Sequence, residues 1–180
     1  GVSSGDSFEY KITTLKDSKL WGEAGSQEGD TFTYEIASIS ETTYFGMEVW
    51  ELTIDVSDVD GDTAETSHYV YKDPADGMMS WFLPTPVDDY IDALPSTTGG
   101  GDGITAVQSE ATLNGTKYSI TWSWDENTGA TDLYQWSEDD DVKLEITLQS
   151  GAIPGYELPL LLGVTGIFSI GLIYLMKKRQ

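Results

Sequence analysis

The sequence contains no cysteine, a single histidine and, before residue 179, no arginine. Without thiols there are no disulfides, thiolate nucleophiles, iron–sulfur clusters or cysteine zinc sites, so the folded part must hold by packing alone. His68 has no second His and no Cys with which to complete a transition-metal site, and reads as a structural or surface residue on a strand. Positive charge is also scarce: nine Lys and Arg stand against 31 Asp and Glu, for a net charge of −22. Every acidic residue lies at or before Glu157, where Lys11, Lys16, Lys19, Lys72, Lys117 and Lys143 are the only cations, giving that part a formal −25. Such a field repels nucleic acid and argues against a DNA or RNA partner, while it concentrates cations.

What is present is a chain of 180 residues with 39% hydrophobic and 12% aromatic residues, enough for a folded core in one domain by default or in two small ones. Period-two alternation dominates. Phe8, Tyr10 and Ile12 share one face of a strand, and Phe32, Tyr34 and Ile36 share one face of another. Both strands open alike, with Gly5-Asp6-Ser7-Phe8 and Gly29-Asp30-Thr31-Phe32, 24 residues apart. The pattern predicts a long strand over 44–56, turning at Asp60-Gly61 into a strand over 67–72. Tyr118, Ile120, Trp122 and Trp124 mark a strand over 117–124, which turns at Asn127-Thr128-Gly129 into 131–136. A further turn over 137–141 leads into 142–148, completing an antiparallel meander.

One helix is expected over 87–94, with Thr85 as cap, Pro86 in the first turn and Val87, Tyr90, Ile91 and Leu94 on its apolar face. Residues 96–103 read as a Gly-rich linker between two β-rich parts. The expected fold is mainly β, an antiparallel sandwich or curved sheet with one short helix. It occupies residues 1–149 and is followed by a tether at 150–157.

Residues 158–176, from Leu158 to Met176, are nineteen in number and uncharged. As a helix they span about 28 Å, close to the hydrocarbon thickness of a bilayer, which predicts one transmembrane helix. Lys177, Lys178 and Arg179 in the tail 177–180 place that end in the cytoplasm and the acidic domain outside the cell. Export implies a signal peptide removed ahead of Gly1. Gly163, Gly166 and Ser169 form a small-residue ribbon suited to close contact with another helix, so self-association is open. Pro154-Gly155-Tyr156, the apolar helix and the basic end together resemble the C-terminal sorting signals of archaeal surface proteins of the Pro-Gly-Phe type, and the Ile-Pro-Gly-Tyr form is similar to tails on surface proteins of Asgard archaea. In that family an archaeosortase cuts near the Pro-Gly motif and transfers the protein to a lipid. Tyr156 stands here where the best-defined members have Phe.

Candidate chemistry in the outer domain is sparse. Gly1-Val2-Ser3-Ser4-Gly5 has the spacing of a nucleophile elbow but lacks the preceding strand that the motif requires. Asp58, Asp60, Asp62 and Glu65, with Asp55 ahead of them, are the best candidates for a hard cation such as Ca²⁺, set against an acidic hairpin tip with no ligand. Glu138, Asp139, Asp140 and Asp141 form a second acidic tip. Trp122, Trp124 and Trp136 suit sugar stacking or, more simply, core packing. Asn114-Gly115-Thr116 is an N-glycosylation sequon. The residues favour a non-enzymatic envelope protein, in a surface layer, an adhesion contact or a membrane complex, with other envelope proteins as partners. An anchored module for a lipid or small apolar ligand is the alternative, and a hydrolase ranks behind both.

Overall fold

The computed structural model describes residues 1–21, 26–58, 60–76, 80–94, 101–102 and 105–150. Its strands in chain order are β1 (Ser7–Leu15), β2 (Thr31–Tyr44), β3 (Met47–Ser57), β4 (Thr63–Tyr71), β5 (Gly101–Asp102), β6 (Thr105–Leu113), β7 (Thr116–Trp124), β8 (Thr131–Glu138) and β9 (Asp141–Ser150). All belong to one antiparallel sheet, ordered β4-β3-β2-β1-β9-β8-β7-β6-β5. With β5 only two residues long, the sheet is in effect eight strands curled into a half-barrel. Two four-stranded meanders, β1–β4 and β6–β9, meet where the first strand pairs with the last, at Tyr10↔Leu148 and Ile12↔Ile146.

The repeated strand entry has a structural meaning. Asp6 accepts the Ser3 N–H at 2.7 Å through its carboxylate, and Asp30 accepts the Gln27 N–H in the same way at 2.9 Å. Each turn then clasps the other strand. Gly5 N–H donates to the Ile36 carbonyl while Ile36 N–H donates to the Asp6 carbonyl, and Gly29, Ile12 and Asp30 repeat this arrangement. The two copies are the two ends of one β1–β2 pair, in which Phe8 faces Tyr34 and Tyr10 faces Phe32.

Two expectations need correction, and one strand is added. The strand expected over 44–56 is broken at Phe45-Gly46, where both residues have positive φ (50° and 85°) and make a tight hairpin between β2 and β3. That turn conformation suits the right-handed twist of the strands, but Phe-Gly is not the Asn-Gly or Asp-Gly that normally announces it. Residues 105–113, which the sequence pattern does not mark as a strand, form β6 and pair with β7. The helix α1 (Val87–Asp92) has six residues, and Thr85 does not cap it. Pro86, joined to Thr85 by a cis peptide bond, takes the cap position and offers no side-chain hydrogen bond.

The inner face of the curl carries the core: Phe8, Tyr10, Ile12, Phe32, Tyr34, Ile36, Leu52, Ile54, Leu144 and Ile146. The connection between the two meanders enters this face. Trp81 puts its ring within 5.2–6.4 Å of Tyr10, Trp21, Phe32, Tyr34, Trp122 and Tyr134, so one residue touches rings from both meanders. Phe82 lies beside Phe8 at 5.3 Å and forms a β-bridge with Ala130. Main-chain bonds fix the insertion: Leu83 N–H donates to Gly129 O at 2.8 Å and Thr131 N–H to Trp81 O at 2.9 Å. Trp124, fully buried, donates its indole N–H to Ser80 O at 2.8 Å. Beyond this point α1 buries Val87, Tyr90 and Ile91 with Leu83 and Trp124. The Tyr90 hydroxyl donates to Tyr71 O on the edge strand β4 at 3.0 Å. The segment therefore reaches from β7 to β4 and ties strands from opposite sides of the curl.

Candidate functional site

The structure spreads the sequence candidates over several places. Asp58, Asp60 and Asp62 lie in the loop joining β3 to β4, where the Asp58 carboxylate accepts the N–H groups of Asp60 and Asp62 at 3.0 and 2.9 Å. Both bonds fall on Oδ1, which is thus engaged in holding the turn. Glu65 stands away from that loop, on β4 opposite Asp55. Among the described residues, no group of three or more His, Cys, Asp or Glu converges to hold a metal ion. At the other tip, Asp139 and Asp140 form a two-residue turn with positive φ, and Asp141 pairs with Lys143 at 2.9 Å and with Lys16. The Lys143 and Lys16 ammonium groups hold the Asp141 carboxyl down at about 2. These charges are used within the fold.

His68 lies on β4 with its ring 6.1 Å from that of Tyr34, and burial holds its pKa below the ordinary value. Trp122 and Trp124 stack at 5.5 Å. Trp122 is anchored by its indole N–H on Thr131 Oγ1 at 2.8 Å, so both rings are occupied in packing. Trp136 packs on Tyr118 at 5.5 Å. Asn114 is exposed in the two-residue turn between β6 and β7, with φ 51°, and Gly115 follows at 87°. Pro154, Gly155, Tyr156, Leu158, Gly163, Gly166, Ser169, Met176, Lys177, Lys178 and Arg179 lie outside the described residues. Among the described residues no helix is long and apolar enough to cross a membrane.

Two features on β4 and its neighbours went unrecognised in the sequence. The first is an apolar hollow of about 180 Å³, lined by Val2, Ile39, Trp50, Leu52, Val70, Phe82, Leu83 and Pro84, with Gly1 at its margin. Ile39 is 37% exposed, unusual for a large aliphatic side chain on the core face. The hollow does not lie under α1, whose apolar face is closed by Leu83 and Trp124. It lies between the inserted segment and the inner face of β2–β4. The Lys72 ammonium sits 5.6 Å over the Trp50 ring and pairs with Glu41 at 2.7 Å.

The second feature is the edge itself. β4 has nine residues and, among the described residues, pairs only with β3. Lys72 N–H donates to Glu48 O, and the register from Ser57↔Thr63 to Val49↔Tyr71 has no shift. In an antiparallel ladder this points the N–H and C=O groups of alternate residues outward, here those of Thr63, Glu65, Ser67, Tyr69 and Tyr71. Tyr71 O is taken by Tyr90, and the outward groups of the other four have no hydrogen-bond partner among the described residues. On the outer face, Glu35 stands opposite Asp55 and Asp55 opposite Glu65, a row of three carboxylates running to the edge. Like charges directly opposite across strands are unfavourable, and no ion pair relieves these among the described residues.

No model of a known protein family matches the chain, and no curated protein matches it significantly.

Proposed function

We propose that the chain is a membrane-anchored domain of the cell envelope that lies outside the cell and acts by binding other envelope components, not by catalysis. The observation that carries this reading is the long edge strand β4, whose outward main-chain groups are unpaired among the described residues. Natural sheets usually blunt such an edge with Pro, Lys, a bulge or a covering segment. β4 has no Pro, Lys or bulge. The expected anchor at 158–176 would hold this edge close to other membrane-bound proteins, and the Pro-Gly-Tyr segment would mark the chain for surface sorting.

The test is cross-linking of the full-length chain in native membranes, followed by mass spectrometry. Cross-links from the β-domain to other envelope proteins are the expected result, with the domain accessible to protease added from outside. A domain that cross-links to nothing, or that is protected from external protease, refutes the reading.

The apolar hollow favours a second reading, binding of a small apolar ligand. At about 180 Å³ it is smaller than the roughly 300–1,000 Å³ typical of pockets that enclose a drug-sized ligand. It is close to the roughly 150 Å³ cavity that accepts a single benzene ring. The hollow fits one ring or a short alkyl group, not a lipid chain.

A further inference from the structure

Resting on the interaction reading above, we infer that β4 accepts an extended strand from a partner protein, with one apolar side chain seated in the hollow and a Lys or Arg facing Glu65. Three observations fix these features independently. The ladder along Thr63, Glu65, Ser67 and Tyr69, unpaired among the described residues, offers main-chain donors and acceptors to a ninth long strand. Val70, on the inner face of the same strand, lines a hollow sized for a single side chain. The outer face presents the Glu35–Asp55–Glu65 row, whose edge charge a positive side chain on the added strand would offset.

Together they define a sequence pattern. An incoming antiparallel strand places one residue opposite Val70 and another, five positions later, opposite Glu65. Because side chains alternate, these two point to opposite faces of the sheet. The first enters beside the hollow and is apolar; the second lies on the outer face and is basic. A second copy of this chain fits poorly. It would bring another Glu65 and another −22 charge to the same edge. The Tyr90–Tyr71 bond marks where the docked strand ends, because Tyr71 O is already satisfied there.

The experiment uses the full-length chain in nanodiscs and a synthetic peptide, Thr-Phe-Thr-Val-Thr-Ser-Arg-Thr, read by fluorescence anisotropy and by hydrogen exchange of the β4 amides. Saturable binding with slowed exchange at Glu65, Ser67 and Tyr69 is expected. Replacing Phe by Ser in the peptide weakens binding about tenfold or more. Replacing Arg by Glu weakens it about three- to tenfold, and Glu65→Lys in the protein reverses that preference. Ser67→Pro removes an outward N–H at an exposed edge position without breaking a β3–β4 bond; it abolishes binding while the melting temperature changes little. Binding that survives Ser67→Pro, indifference to Phe, or dimerisation of the chain through β4 overturns the inference. A peptide that fails to bind while membrane cross-links map to another face also overturns it and leaves the broader interaction reading standing; absence of any cross-link removes both.

Discussion

Substituting Gly129 by Ala isolates the energetics of the inserted segment. Gly129 has φ +74°, and a Cβ built there falls 2.1 Å from Leu83 O, backbone that cannot swing aside. The left-handed conformation alone costs an alanine about 1–2 kcal/mol. Relieving the clash requires the 81–83 segment to retreat, which breaks the Leu83–Gly129 hydrogen bond and loosens the Phe82–Ala130 bridge, at about 1 kcal/mol for each bond lost. The total is about 3–4 kcal/mol, or a fall in melting temperature of about 6–16 °C for a domain of this size. Gly5→Ala is the matched control. Its φ is +91°, with nothing within 4 Å of the added Cβ, so only the conformational cost of about 1–2 kcal/mol remains. Differential scanning calorimetry of both variants on one background separates the two contributions. Equal shifts for Gly129→Ala and Gly5→Ala would show that the segment does not dock on Gly129 as described.

Other perturbations probe the remaining contacts. Trp81→Ala deletes the ring that joins both meanders and is expected to cost about 3–5 kcal/mol in urea unfolding, with loss of near-ultraviolet dichroism; a cost below about 1 kcal/mol would contradict its central place. Burial lowers the His68 pKa, so its contribution is present above the ordinary value near 6.5 and is lost as pH falls through the folded value; stability should drop below about pH 6.5, and His68→Gln should flatten that drop. Burial, then Asp73 and Tyr71, raise Tyr90 from 10.0 to about 12. Its contribution is therefore complete below pH 10 and is lost as pH rises from 10 to about 12, and Tyr90→Phe should make unfolding less alkali-sensitive across that window. Intact-mass analysis of chain made in its own membranes should show a glycan that Asn114→Gln abolishes.

Much of the sheet was legible because its signals are local. The alternation of Phe8, Tyr10 and Ile12, and that of Tyr118 to Trp124, sets the inner face by side-chain period alone. The Gly-Asp repeat was visible as a strand entry, but its role as a reciprocal clasp depends on β1 and β2 being neighbours, which no local pattern states. The Phe45-Gly46 turn was hidden because a β2 residue and a β3 residue both continue the alternation across it. Strand β6 lacks the Val, Ile and aromatic density that marks the others; pairing with β7 makes it a strand. The hollow could not be read at all. Its walls come from Val2, from β2–β4 and from Phe82–Pro84, segments brought together only by the inserted connection.

The acidic excess bears on the edge in two ways that point to one occupant. A long β4 with no Lys or Pro would invite edge-to-edge pairing between copies, and charge is one of the devices by which sheets prevent it. Glu65 at the edge, backed by Asp55 and Glu35, makes any like-charged strand unfavourable and so protects this chain from itself. A row placed only for protection would need no apolar recess on the opposite face of the same edge, and an exposed Ile39 and an apolar hollow next to Val70 would weaken that protection. The carboxylate row rejects acidic strands, and the recess rewards one apolar anchor. The combination discriminates by both repulsion and fit, which is how a binding edge is made selective.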